Sequence, residues 1–256
     1  YQWDAMSGAE IAQGHNSAFV DKQNRSFVVY HTRFSNGGEG HQVRVHQLFL
    51  NDEGWLMAAP FEFDGETITD AAIASKASIA DADIAGDYQF MRHQYGQNTK
   101  AKAFETPVNI TLNADGTITG AEKGTWKRTA GTDYIHLTIN DVVYRGVLVK
   151  QTIDYTNIPA IAISALSSSS GSVALGQNNF TYQQEVWAVK ADAKAAIKYT
   201  LSKMTLPFSD GATLNAAPSL PVQGKMGANI SWKSSDTSIL TDEGKVKGKG
   251  KVTMTM

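Results

Sequence analysis

Turn signals cut this chain into segments of strand length. From Gly86 to about Lys190 they recur roughly every 8–12 residues, with apolar residues at alternate positions between them, the period of a strand with one buried face. Ala114-Asp115-Gly116 separates Val108–Asn113 from Thr117–Thr119, and Asn140-Asp141 separates Tyr134–Ile139 from Val142–Val149; both read as hairpins. Ile161–Ala165 and Gln184–Val189 complete an all-β barrel or sandwich over residues 86–190, and Ser167–Gly171 reads as a loop by composition.

The flanking segments read differently. In residues 1–70, Ser17–Val20, Ser26–Tyr30, His41–Leu50 and Trp55–Phe63 predict four antiparallel strands, with Val43, Val45 and Phe49 at alternate positions. Four such strands in about 50 residues is the size of one β-propeller blade. A lone blade leaves apolar faces uncovered, so this segment is not expected to fold by itself. Residues 71–85, rich in alanine and aspartate, read as a linker with a turn or two of helix. Residues 191–256 begin with weak helical character over Ala191–Met204, ending at Leu206-Pro207. The segment continues with a strand at Asn229–Lys233 and an alternating run from Val252 to Met256, which reads as a partial third β domain.

Composition excludes several functions. The 256 residues are 42% hydrophobic and 19% charged, enough for a packed core. A net charge of -2 argues against a nucleic-acid partner, and no apolar run is long enough to span a membrane as a helix. With no cysteine there is no disulfide, thiolate zinc site or thiol nucleophile. The chain starts at Tyr1, as a processed or excised piece would.

Four of the six histidines, His15, His31, His41 and His46, fall in the first part, without the spacing of a zinc site. His41 and His46 are expected on a polar strand face, and His31 satisfying backbone groups. His15 differs, because Gly14 before it permits close backbone approach at a strand end, where an imidazole can serve as a ligand. The carboxylates Asp4, Glu10, Asp21, Glu39, Asp52, Glu53, Glu62, Asp64, Glu66 and Asp70 read as solvated turn residues, and no glycosidase pair stands out among them. Arg33 and Arg44 are expected on exposed strand faces or paired with a carboxylate or sugar hydroxyl. Trp3, Trp55, Trp126, Trp187 and Trp232 are spread about one per β unit, which favours core packing over a sugar platform. No phosphate loop, nucleotide fingerprint or nucleophile elbow occurs.

The motifs GHNSAFVD (14–21), VVYHTRF (28–34), GEGHQVRVHQLFLNDEGW (38–55) and APFEFDGE (59–66) closely resemble the last blade of bacterial glycoside hydrolase family 43 arabinanases. These are five-bladed propeller enzymes that hydrolyse α-1,5-linked arabinan. Downstream, GDYQF (86–90), GTW (124–126), YRGV (144–147) and EVWAVK (185–190) resemble the β-barrel that follows the propeller in longer members. ISWKSSD (230–236) and DEGKV (242–246) resemble a bacterial immunoglobulin-like module without its final strand.

The resemblance implies an all-β chain in four parts: a final blade (1–70), a linker (71–85), a C-terminal barrel (86–190) and a partial immunoglobulin-like sandwich (191–256). It implies the C-terminal portion of an inverting hydrolase, secreted or displayed on a bacterial surface. Its partners would be arabinan and an N-terminal propeller piece; no nucleic acid or membrane partner is expected. His15 maps onto the family histidine that helps hold a metal, usually calcium, at the propeller axis. The catalytic carboxyl groups of the family lie in earlier blades, so no catalytic residue is assigned here and this chain alone is expected to be inactive. The alternative reading is a non-catalytic polysaccharide-binding or surface-scaffold protein built from the same modules.

Overall fold

The structure, a computed structural model, describes residues 1–93, 104–168, 173–175, 180–206 and 208–256. Two compact units divide the chain between Asp192 and Ala193. The fold is nearly all β, as expected.

The first unit opens with a four-stranded antiparallel meander: β1 (Glu10–Val20), β2 (Ser26–Phe34), β3 (Gln42–Leu50) and β4 (Leu56–Ala58), paired in sequence order. β1 starts earlier than the sequence suggests, and its register with β2 shifts twice, around Gly14. β4 is shorter than the expected Trp55–Phe63, for a local reason. Pro60 has no N–H, while the N–H groups of Phe61 and Glu62 turn outward to Gln151 Oε1 (3.3 Å) and Asp154 Oδ1 (3.1 Å). The strap rejoins β3 at Phe63, whose N–H donates to the Val45 carbonyl at 2.8 Å.

Residues 71–85 hold two short helices, α1 (Asp70–Ser75) and α2 (Asp81–Ile84). Thr69 caps α1, its hydroxyl accepting from the Ala72 N–H at 3.2 Å. Ile79 and Ile84 enter the barrel core, so this stretch plugs one end of the barrel. A buried clasp fixes the plug. The carboxylate of Asp133, with no exposure, accepts from the Ser78 N–H at 3.0 Å and pairs with Arg128. Arg128 also reaches the Ile79 carbonyl and Asp81.

Eight antiparallel strands close the barrel: β5 (Gly86–Arg92), β6 (Val108–Leu112), β7 (Thr117–Gly120), β8 (Gly124–Arg128), β9 (Tyr134–Ile139), β10 (Val142–Thr152), β11 (Pro159–Ser167) and β14 (Glu185–Ala191). A small hairpin, β12 (Val173–Leu175) with β13 (Phe180–Tyr182), lies between β11 and β14 in sequence. Both predicted hairpins form; Asn140 and Asp141 take φ of 51° and 65°, the left-handed pair of a tight hairpin turn. Ile135, Leu137 and Ile139 alternate inward on β9 and are fully buried with Tyr88, Phe90 and Tyr144. Each such side chain contributes about 1.5–3 kcal/mol of burial. Gly124 permits the tight crossing of β8 on β9, because a Cβ there would lie 1.8 Å from the Thr138 carbonyl oxygen. Of the predicted Ser167–Gly171 loop, Ser167 ends β11, Ser168 follows it buried, and residues 169–171 lie outside the described residues.

The second unit carries α3 (Ala193–Lys203), a 3-10 turn at Lys225–Gly227, and a two-residue ladder of β15 (Lys233–Ser234) with β16 (Met254–Thr255). Pro207, the expected helix stop, lies outside the described residues. Gln223–Asn229 and Leu240–Val246 add isolated bridges. Among the described residues the expected sandwich is reduced to these pairings. Ala196, Met226 and Leu240 are buried there, whereas Ile197, Leu201, Leu214, Val222 and Val246 are exposed.

Candidate functional site

β1 is the strand that aims side chains off its ladder. Ala12 and His15 both have positive φ, 54° and 47°, beside the two register shifts, so β1 carries bulges that turn His15 away from regular pairing. His15 is exposed, with its ring edge-on to His31 at 6.0 Å, and His31 meets His41 at 4.8 Å. Calcium takes about six to eight oxygen ligands. Among the described residues no three His, Cys, Asp or Glu side chains gather to hold an ion. The residues present therefore do not form a calcium cage; His15 could add only one nitrogen to a set completed elsewhere.

Behind this strand lies a buried polar layer that the sequence reading missed. Glu10, 3% exposed, accepts from the hydroxyls of Tyr1 (2.8 Å) and Tyr30 (2.9 Å). The Tyr30 hydroxyl also lies 3.1 Å from His46 Nε2, and His46 Nδ1 lies 2.7 Å from the Ala59 carbonyl. A carbonyl only accepts, so Nδ1 carries the ring proton, and the single Tyr30 hydroxyl proton is shared between Glu10 and Nε2. Burial lowers the His46 pKa, while the Ala59 carbonyl and Glu10 raise it less. Burial also raises the Tyr30 pKa, helped by the charge of Glu10.

A second group borders this layer. Arg44 donates to the Tyr155 hydroxyl and to Gln42 Oε1, both at 2.7 Å, and pairs with Glu62 at 3.4 Å. Tyr155 stands on the β10–β11 turn with φ of 63°, a conformation unusual for a bulky residue. Burial raises the Glu62 pKa and pushes Asp154 up to about 7, with the neighbouring Glu62 charge adding to the Asp154 shift.

These placements correct several expectations. His46 does not sit on a polar strand face; it is 2% exposed because Ala59 folds over it. Glu10 is buried and Glu62 is half-buried, not solvated: Glu10 accepts from the Tyr1 and Tyr30 hydroxyls, and Glu62 pairs with Arg44. His31 meets two histidine rings rather than backbone groups. Of the two alternatives expected for the arginines, both take the paired one, Arg44 with Glu62 and Arg33 with Glu39. Trp3 and Trp187 are buried as core residues, but Trp55 is half exposed on the β3–β4 turn. The alternation Glu185-Val186-Trp187 held a signal: with Val186 facing the core, Glu185 and Trp187 share the outer barrel wall, and Trp187 is a large apolar ring on a face that would otherwise meet water.

The plugged eight-stranded barrel coincides with a known family. Residues 60–176 match the glycoside hydrolase family 43 model described as the C-terminal lipocalin-like domain. The barrel resembles the family 43 C-terminal domain. Over 146 residues, 55% of its length, the chain is 43% identical to an extracellular endo-α-(1→5)-L-arabinanase of Thermotoga petrophila. Over 164 residues, 64% of its length, it is 37% identical to the extracellular endo-α-(1→5)-L-arabinanase 2 of Bacillus subtilis. These matches cover 28% and 32% of the two relatives, so the chain corresponds to under a third of either. Among solved structures, the T. petrophila endo-1,5-α-L-arabinanase superposes with a TM-score of 0.57 at 37% identity, covering 70% of this chain and 36% of that one. A Bacillus licheniformis family 43 protein gives 0.57 at 33% identity, covering 70% and 35%. The chain thus resembles the C-terminal portion of a family 43 arabinanase.

Proposed function

We propose that this chain serves an extracellular endo-acting hydrolase of α-1,5-linked arabinan. The four-stranded sheet is its final propeller blade, and the catalytic carboxyl groups come from blades that precede it. The observation that carries this reading is the 43% identity with an extracellular endo-arabinanase. The exposed apolar side chains of the sheet, Phe19 at 48% and Val43 at 65%, support a neighbouring blade as its partner. His15, on a bulge that points it off the ladder, is proposed as one nitrogen ligand to an axial cation, calcium by the family pattern, whose oxygen ligands come from elsewhere. Linear arabinan is the test substrate. The 256-residue chain alone should release no arabino-oligosaccharides, and activity should appear when the preceding blades are supplied. Hydrolysis by this chain alone, in material free of any other polypeptide by mass analysis, would defeat the reading.

A further inference from the structure

β1 slips twice against β2, and each slip faces a single residue. From Ile11 to Gly14 β1 advances three residues while β2 advances two, from Arg33 to His31. From Gly14 to Ser17 it again spends three residues against the two between His31 and Val29. Thr32 therefore stands opposite Ala12 and Gln13, and Tyr30 opposite His15 and Asn16. Each of those pairs holds one residue of positive φ, Ala12 at 54° and His15 at 47°. A ladder continued unbroken from Ile11 and Arg33 would put His15 opposite Val29. Ser17 stands there instead, so the slips set His15 back by two residues, about 7 Å along β2, to where its ring meets His31.

The first slip has a holder. A bulge disrupts the ladder locally, so a carbonyl beside it needs another donor. The Ile11 carbonyl finds one in the Thr32 hydroxyl at 3.0 Å. The same hydroxyl lies 3.2 Å from the Arg33 carbonyl, but it has one proton to give and Ile11 is nearer. Thr32 has no exposure, so water has no access to take over from its hydroxyl. It shares a face of β2 with Tyr30, whose hydroxyl meets Glu10 at the head of β1 at 2.9 Å. His31, between them in sequence, turns to the other face and meets the exposed His15.

We propose that Thr32 is a positioning residue for His15: its hydroxyl holds the first slip of β1, and that slip decides where along β2 the imidazole is presented. The inference rests on the role given to His15 above. Losing one slip moves every later side chain of β1 by one residue and turns it to the opposite face. A reacting site tolerates far smaller displacements, so the slip is worth at least about tenfold in turnover.

Two variants separate the hydroxyl from the bulk of Thr32. Thr32→Val keeps the branched shape and removes the donor, whereas Thr32→Ser keeps the donor. In the 256-residue chain, the Cα and Cβ chemical shifts of Ala12 and His15 distinguish left-handed from extended backbone. They should be unchanged in Thr32→Ser and move toward extended values in Thr32→Val. With the preceding blades supplied, Thr32→Val should lower kcat on linear arabinan at least about tenfold with KM within about twofold, and Thr32→Ser should keep kcat within about threefold of the wild type. Shifts that stay left-handed in Thr32→Val, or equal kcat in the two variants, overturn the proposal. His15→Asn is the control. If it leaves kcat unchanged, His15 has no role and Thr32 nothing to position, which overturns both readings. If it lowers kcat while Thr32→Val does not, the positioning role alone falls. Should Thr32→Val fail to fold, Thr32→Cys, whose thiol is only a weak donor, takes its place with the same expected shifts.

Discussion

His46 ties two elements together through one ring, meeting Tyr30 of β2 with Nε2 and the Ala59 carbonyl with Nδ1. His46→Ala should therefore cost about 2–4 kcal/mol in urea unfolding, from lost packing and two buried groups left without partners. Its folded pKa is lowered, so the stability it contributes is present above pH 6.5 and is lost as the pH falls through the folded value. The wild type should accordingly show a loss of stability on acidification that the variant lacks in part. His15 is the opposite case. Asparagine tolerates the left-handed φ of 47°, so His15→Asn should leave the unfolding midpoint within about 0.5 kcal/mol. If the metal proposal holds, the same variant should sharply lower turnover of the complete enzyme on arabinan; unchanged turnover rejects that role. The sequence distinguishes these two histidines poorly, because burial of His46 depends on where Ala59 lands, and that is decided by Pro60 and the barrel.

Hairpins were the legible elements. Their signals are local, since Asn140-Asp141 and Ala114-Asp115-Gly116 state a turn without reference to anything distant. The β9–β10 turn offers a direct check. Asp141→Gly places the residue that suits φ of 65° best and should stabilise the protein by about 0.5–1 kcal/mol, read as a raised melting temperature. The plug was harder to read. Residues 71–85 look like a linker because Ile73, Ile79 and Ile84 follow no single period; each meets the barrel from a different short helix or turn. What fixes them is the Asp133 clasp, and Asp133→Ala should cost about 3–5 kcal/mol by removing the buried one of Arg128's two carboxylate partners and leaving the Ser78 N–H unanswered. A loss below about 1 kcal/mol in denaturant unfolding would reject that account of the plug.

At the scale of the first unit, sheet and barrel share one seat. Asn51 donates to the Arg145 carbonyl, Asp52 lies 2.6 Å from His136, and Gln151 holds both backbone groups of Phe61. A polypeptide of residues 1–70 would lose these partners and expose Met57, Ala59 and Phe61, all buried here. It should give a collapsed amide spectrum rather than a dispersed one. The existence of two β modules was readable from sequence, but their seat was not, because it is written in residues roughly a hundred positions apart.

That separation also sets an order of events during synthesis. Barrel closure requires β14 to pair with β5, and the sheet is gripped by Trp187 and Glu185 of that same last strand. Ala58 leaves the ribosome 129 residues before Trp187, an interval on the order of ten seconds at roughly 5–20 residues per second. Until β9 and β10 emerge the nascent sheet has no seat, and until β14 pairs with β5 the barrel is an open curl with a free edge. Whatever shields those surfaces in the cell must act before the last strand arrives.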